Sequence, residues 1–137
     1  MRFNSTRCQV LQITNKRKPI KASYTVHGHT LEVVESAKYL GVHLDPRLNF
    51  NAHVNTITRK ANSTRAFLNR NLSHCSRKIK EAAYTTFVKP TVEFASTTWD
   101  PHTQCNTCKV EQIQHNSAHF VTSDYHRESS VSSMLNN

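Results

Sequence analysis

The spacing of apolar residues changes near residue 50, and this change divides the chain. In the first part, apolar and polar residues alternate in Tyr39–Leu44, and the runs Cys8–Thr14, Ser23–Val26 and Leu31–Val34 are also β-prone. Alternation with a period of two is typical of half-buried strands. Gly28 can take a positive φ and marks a tight turn. These runs predict small antiparallel hairpins or a meander.

From Asn51 onward, apolar residues recur every three or four positions, which is the period of a helix. Asn49 or Asn51 can cap the start of this first helix. The same spacing places Arg59 and Arg70 opposite the apolar stripe, facing solvent. The stripe consists of Val54, Ile57, Ala61, Thr64, Leu68 and Leu72.

A second helix is predicted over Arg77–Val88. We expect Pro90 to interrupt it, because a proline lacks the backbone N–H and its ring clashes with the preceding turn. Thr91–Trp99 carries both helical spacing and β-branched residues, so a resumed helix and a strand both fit. The inward residues of the second helix are expected to be Ile79, Ala82, Ala83 and Phe87.

A third helix is predicted over Asn106–Ser123, and a polar tail follows at Ser129–Asn137. The helix has one apolar side, formed by Val110, Ile113, Ser117, Phe120 and Val121. The chain is therefore expected to have an α+β fold, in which small antiparallel β-hairpins precede a helical bundle. The expected divisions are residues 1–50, 51–128 and 129–137.

The composition of the chain argues against several classes of protein. Only 36% of the 137 residues are hydrophobic and the mean hydropathy is −0.61, which indicates a thin core. The chain has two glycines and no glycine-rich phosphate loop. No apolar run approaches the roughly 20 residues of a membrane span, and the N-terminus lacks the apolar core of a signal peptide. We therefore expect an intracellular protein, nuclear or cytoplasmic, that is not secreted and has no membrane partner.

The net charge of +9 is concentrated in the helical middle of the chain. Between Arg59 and Lys89, Glu81 is the only acidic residue. Each cation alone could be an ordinary solvated side chain, but such faces usually interleave acidic partners. The cluster predicts contacts with nucleic-acid phosphates, and neutralising six to eight would give a salt slope of roughly −5 to −7. The basic residues are Arg59, Lys60, Arg65, Arg70, Arg77, Lys78, Lys80 and Lys89.

The carboxylates do not form a polymerase active site. Such a site needs paired aspartates to hold two magnesium ions, and none of the nine acidic residues forms an adjacent Asp-Asp pair. We therefore expect no catalysis by this chain alone, no catalytic residue and no cofactor of its own.

One cysteine pair suggests a metal site. Cys105 and Cys108 precede His115 and His119 in a C-x2-C…H-x3-H order. The gap of six residues between Cys108 and His115 is shorter than the usual spacing of about 12. A chance pair of thiols is favoured over a zinc site, and we predict no metal. The reduced thiols fit an intracellular compartment.

Four aromatic residues, Tyr84, Phe87, Phe94 and Trp99, have two interpretations. They could stack on nucleic-acid bases. At helical spacing, and with so few other apolar residues, they are more often core, and core is the prediction.

Six motifs occur in the order and spacing of a known family. The central ones are Ala37–Val42 (AKYLGV) and Ala82–Ser96 (AAYTTFVKPTVEFAS). Together the six resemble the region after the palm in non-LTR (LINE-type, jockey-like) retrotransposon reverse transcriptases. The other four are Asn4–Thr14, Tyr24–Gly28, Trp99–Thr103 and the pair Ile113-Gln114 with Phe120-Val121.

The resemblance implies a role in holding nucleic acid. Tyr39, Leu40 and Gly41 would belong to the primer grip, and the helices would form a thumb-like region. That region would bind an RNA–DNA or DNA duplex by its backbone. Magnesium would belong to a palm that this chain lacks, and the palm is a candidate partner. His115 and His119 stand where the family usually has arginines. The alternatives are a degenerate, non-functional transposon remnant or a small zinc-binding module.

Overall fold

The structure, a computed structural model, describes residues 4–123 and divides the chain into two compact units, Met1–Phe50 and Asn51–Asn137. The predicted polar tail at Ser129–Asn137 lies outside the described residues. The predicted fold class is confirmed, because short strand pairs fill the first unit and helices fill the second.

The first unit contains six short strands in three pairs. A 3-10 turn, Ser5–Arg7, precedes them, and the Asn4 side chain caps it. Strands β2–β3 and β5–β6 pair antiparallel, and β1–β4 pairs parallel, with Val10 opposite Val33. The strands are β1 (Gln9–Leu11), β2 (Thr25–Val26), β3 (His29–Thr30), β4 (Glu32–Val34), β5 (Ala37–Tyr39) and β6 (Val42–Leu44).

Both hairpins turn on a residue pair with positive φ. His27 and Gly28 have φ values of 50° and 81°, and Leu40 and Gly41 have values of 47° and 87°. Two consecutive positive φ values match the type I′ turn, whose twist suits a two-residue hairpin. The turn predicted at Gly28 is confirmed. The prediction of one strand over Tyr39–Leu44 was wrong, because Gly41 lets the chain reverse in the middle of that run.

The second unit begins with the long helix α1 (Asn51–Leu72). Its start at Asn51 agrees with the prediction, and Val54, Ile57, Ala61 and Leu68 of the predicted apolar stripe are buried. The other two residues of the stripe, Thr64 and Leu72, are half-buried. Phe50, with a φ of 56°, immediately precedes the helix. The Asn51 side chain accepts a hydrogen bond from Asn106 Nδ2 at 2.6 Å, which ties the start of α1 to the last helix.

The second helical run is continuous through Pro90. It comprises α2 (Arg77–Ala83), a π-helical segment (Tyr84–Val88) and α3 (Lys89–Glu93). In the π segment the Lys89 N–H donates to the Tyr84 carbonyl, one residue beyond the usual α-helical partner. Pro90 then sits in the first turn of α3, where its missing N–H costs little. The expected interruption at Pro90 was therefore wrong.

The extra residue of the π turn also changes which side chains face inward. Ala83, Val88 and Val92 are buried, at intervals of five and four residues. Ile79 and Phe87, which a regular period places inside, are 51% and 57% exposed. The prediction for Phe87 was wrong because it assumed 3.6 residues per turn throughout. Ile79 and Ala82, which were also predicted to face inward, precede the π turn and are exposed as well, because Lys80 and Ala83 are the buried residues of that turn of helix.

The chain then makes a short break and continues as α4 (Ser96–Trp99) and α5 (Gln104–Thr122). Ala95 has a φ of 52° at the break, and Thr103 caps α5 by accepting from the Asn106 N–H. The helical alternative for this stretch was correct. The core of the unit packs α1, α3 and α5 together through Ala61, Leu68, Ala83, Val88, Val92, Ile113 and Phe120.

Trp99 is a core residue, as predicted. It is 2% exposed, and its Nε1–H donates to the Phe94 carbonyl at 2.7 Å. Its ring meets the buried His53 ring edge-on, with centroids 5.4 Å apart. Phe94 itself is 56% exposed, so the core prediction fails for Phe94 as it does for Phe87. Among the described helices, none is long and apolar enough to cross a membrane.

Candidate nucleic-acid interface

The outer face of α1 carries positive charge and no acidic residue of the same helix. Arg59, Lys60 and Arg70 are exposed on this helix. None of the 22 residues of α1 is acidic. Arg59 and Arg70 are separated by three helical turns, so they lie on the same side, about 16 Å apart along the axis. This face presents cations to solvent without a carboxylate on the same helix to neutralise them.

Arg65 lies at the edge of the same helix and is half-buried. Its Nε is enclosed and has no hydrogen-bond partner among the described residues. Half-burial is what a position at the edge of the apolar stripe gives to a long cationic side chain.

The second helical run presents less charge than its sequence indicates. Arg77 and Lys78 are exposed at the start of α2, but Lys80 is only 4% exposed. The Lys80 ammonium group donates to the Ser123 hydroxyl and lies 5.8 Å from the centroid of the Phe120 ring. Its charge is directed into the unit, so the structure does not place Lys80 with the exposed cations.

Acidic residues also accompany this second run. Lys89 Nζ lies 3.7 Å from Glu93 Oε1, as an ion pair one turn apart. Glu81 and Glu93 line a cleft of 390 Å³ between the second run and α5. Burial, followed by the charge of Glu93, raises the pKa of Tyr84 in this cleft above its ordinary value of 10.0. The mixture of charges makes this a poor phosphate surface.

The three residues of the primer-grip-like motif lie at the tip of the β5–β6 hairpin. Tyr39 is 65% exposed and Leu40 is 76% exposed. Leu40 and Gly41 form the turn itself. The motif is thus a projecting hairpin tip with apolar side chains on its surface.

The cysteine–histidine pattern does not form a metal cluster. Cys105 and Cys108 are exposed thiols, and the His115 and His119 rings lie 4.6 Å apart on α5. Among the described residues, no three His, Cys, Asp or Glu side chains lie close enough to hold one ion. Cys108 and His115 are two helical turns apart, about 10 Å, whereas ligands to one zinc ion lie within about 2.3 Å of it.

One feature of the surface of α1 was missed by the sequence interpretation. Phe67 is 58% exposed and lies within one turn of Arg70. It also falls four residues after Ser63 and four before Asn71, both exposed. The signal was present in the sequence, because Phe67 falls outside the apolar stripe, but the interpretation considered only the core-facing residues of this helix.

The chain is similar in sequence to a known protein. The chain is 29% identical over 108 residues to a probable RNA-directed DNA polymerase from transposon BS of Drosophila melanogaster. This similarity supports a relationship to a retrotransposon reverse transcriptase. The match covers 76% of this chain and 12% of the Drosophila polymerase. No family model matches the chain, and no solved structure matches it.

The relationship to a retrotransposon reverse transcriptase that the six motifs indicated is therefore supported by this similarity. The relative is named as a polymerase, and the chain spans about an eighth of it.

Proposed function

We propose that this chain corresponds to the region after the palm of a retrotransposon reverse transcriptase, and that it holds template–primer nucleic acid by its phosphate backbone. It does so without catalytic residues of its own. Polymerisation and its magnesium ions then belong to a palm outside these 137 residues. The similarity to a transposon RNA-directed DNA polymerase supports the enzyme class.

The observation that carries the proposal is the acid-free face of α1. A helix that exposes Arg59, Lys60 and Arg70 with no acidic neighbour on the same helix attracts a polyanion along its length. Phosphate contacts from Arg and Lys fix position without reading sequence. The expected ligand is thus an RNA–DNA hybrid or a DNA duplex, bound with little sequence preference.

The contact set follows from exposure. Arg59, Lys60 and Arg70 form its centre, and Arg77 and Lys78 extend it at the start of α2. Arg65 contributes from the edge of α1. Lys80 was among the predicted contacts, but its buried ammonium group leads us to leave it out.

The β5–β6 tip supplies a second proposed contact. Leu40 and Gly41 form a tight two-residue turn, and the side chains of Tyr39 and Leu40 project into solvent. A small apolar tip of this kind packs against a sugar or a terminal base without adding charge. We assign it to the primer side of the nucleic acid, on the basis of the motif resemblance.

A salt series tests this function. The full chain is titrated against a labelled RNA–DNA hybrid and a DNA duplex at several salt concentrations, and binding is followed by fluorescence anisotropy. Five exposed cations predict a slope of log K against log salt of roughly −4.5. Scrambling the sequence is expected to change the affinity little. Absence of binding at the lowest salt concentration contradicts the proposal.

The exposed apolar side chains favour one alternative, a non-functional transposon remnant without the partner that would cover them. Ile20 and Leu40, for example, are 67% and 76% exposed. A remnant of this kind is expected to unfold without cooperativity. A single cooperative transition, reported identically by circular dichroism and by Trp99 fluorescence, contradicts the remnant and supports a folded module.

A further inference from the structure

The exposed face of α1 contains one aromatic ring among polar and cationic groups. Phe67 is 58% exposed. Arg59, Ser63, Phe67 and Asn71 follow one another at intervals of four residues, so they form one ridge along the helix, and all four are exposed. The Asn71 amide donates to the Phe67 carbonyl at 2.8 Å, which fixes the amide on this ridge.

We propose that Phe67 is a stacking site for an unpaired nucleobase. This inference rests on the proposed function and adds a ligand class to it: single-stranded nucleic acid, or the unpaired end of a duplex, held on the same face. Every base has a π face, so stacking on an aromatic side chain is tolerant of sequence. The cations of α1 hold the backbone, and the ring holds one base.

The surroundings of Phe67 favour a base over another protein surface. Its exposed neighbours on the helix are Ser63, Arg70 and Asn71, and Lys60 lies two turns away. The cores of protein interfaces are depleted of charged residues and join several apolar side chains. Here the ring stands among a hydroxyl, an amide and two cations. Hydroxyl, amide and guanidinium groups can also hydrogen-bond to the edges of the stacked base or its phosphate.

Phe87 provides a matched comparison within the same unit. It is 57% exposed, nearly the same as Phe67. Its helical run carries Glu81 and Glu93, whereas α1 carries no acidic residue. A general affinity of exposed rings for bases predicts the same role for both residues. A site built by the cations of α1 predicts a role for Phe67 alone.

The test compares Phe67→Ala and Phe87→Ala in the full chain. Each variant is titrated by anisotropy against a labelled single-stranded oligonucleotide and against a blunt hairpin duplex of equal charge. Phe67→Ala is expected to weaken single-strand binding by roughly 5- to 150-fold, the range for loss of one stacked base. Duplex binding and the salt slope are expected to stay unchanged, because no charge is removed. Phe87→Ala is expected to change neither.

A second variant distinguishes the loss of a stacking ring from a change in folding. Phe67→Trp keeps an aromatic face, so it is expected to retain single-strand affinity and to gain a fluorescence signal that a stacked base quenches. Unchanged single-strand affinity in Phe67→Ala, or an equal loss in Phe87→Ala, overturns the inference while backbone binding persists. If the unaltered chain binds neither ligand at low salt, both the inference and the proposed function fail.

Discussion

The first helix and the helical run Arg77–Glu93 each contain four lysine or arginine residues, yet they present different surfaces. Helix α1 keeps Arg59, Lys60 and Arg70 in solvent and has no acidic residue. The second run buries Lys80 and pairs Lys89 with Glu93 at 3.7 Å. Charge counted along a sequence is therefore not the charge that a ligand meets. Burial and pairing decide how much of it reaches the surface.

The largest expected effect concerns the register of the second run. Val88 is 1% exposed and Phe87 is 57% exposed. Val88→Ala is therefore expected to lower the free energy of unfolding by about 2 kcal/mol, through lost burial and a residual cavity. Phe87→Ala, as a matched control, is expected to stay within about 0.5 kcal/mol of the unaltered chain. Urea unfolding followed by circular dichroism measures both. If Phe87→Ala lowers the free energy of unfolding more than Val88→Ala does, Phe87 is the buried residue, as it would be in a regular α-helix. That result would contradict the π turn.

A smaller effect is expected at Lys80. Lys80→Met replaces a buried ammonium group by an apolar chain of similar length. Exchanging buried charged groups for apolar ones of similar volume is often neutral or stabilising, so the free energy of unfolding is expected not to fall. The salt slope of nucleic-acid binding is also expected to stay the same, although one positive charge is lost. If Lys80→Met reduces the salt slope by about 1, the ammonium group of Lys80 contacts a phosphate in the unaltered chain. That result would contradict the distinction between the two helical regions.

The smallest effect concerns the tyrosine in the cleft. Burial, and next the charge of Glu93, raise the pKa of Tyr84 above 10.0. A raised pKa in the folded state means that Tyr84 contributes stability fully below pH 10, and that this contribution is lost as the pH rises through the folded-state value. Tyr84→Phe is expected to abolish this loss of stability at alkaline pH.

Unfolding curves at neutral and alkaline pH, with Tyr39→Phe as an exposed control, measure the effect. The difference in tyrosinate absorbance between each variant and the unaltered chain reports the titration directly. A Tyr84 that titrates with the same midpoint as Tyr39 would contradict its burial in the cleft.

The regular parts of the fold could be predicted from the sequence. The stripe from Val54 to Leu68 is long and periodic, so both the start and the buried face of α1 followed from it. The third predicted helix, Asn106–Ser123, differs from α5 by two residues at its start and one at its end. Long amphipathic helices are readily recognised because their packing repeats every turn.

Three features could not be predicted, each for a physical reason. The π turn before Pro90 inserts one residue, and periodicity arguments assume that none is inserted. The hairpin at Leu40-Gly41 puts a non-glycine residue at a φ of 47°, which alternation does not reveal. The parallel pairing of β1 with β4 joins strands distant in sequence, and no local pattern encodes it.

Part of the candidate interface could also be predicted from the sequence. The exposure of Arg59 and Arg70 followed from helical spacing and is confirmed. The burial of Lys80 did not follow, because it depends on Ser123 and Phe120, which lie far along the chain. The exposure of Phe67 could also be predicted from helical spacing. Only the structure shows that the polar side chains that flank it are exposed as well.

The most direct test of the account measures the charge of α1 itself. The double variant Arg59→Gln/Arg70→Gln is compared with Arg17→Gln/Arg47→Gln, which removes two exposed arginines from the first unit. Salt series on the RNA–DNA hybrid give the slope for each. The account predicts that the α1 variant loses about 2 units of slope, one for each phosphate contact, and that the control keeps the slope of the unaltered chain. Equal slopes in the two variants would contradict the central claim that α1 is the nucleic-acid surface.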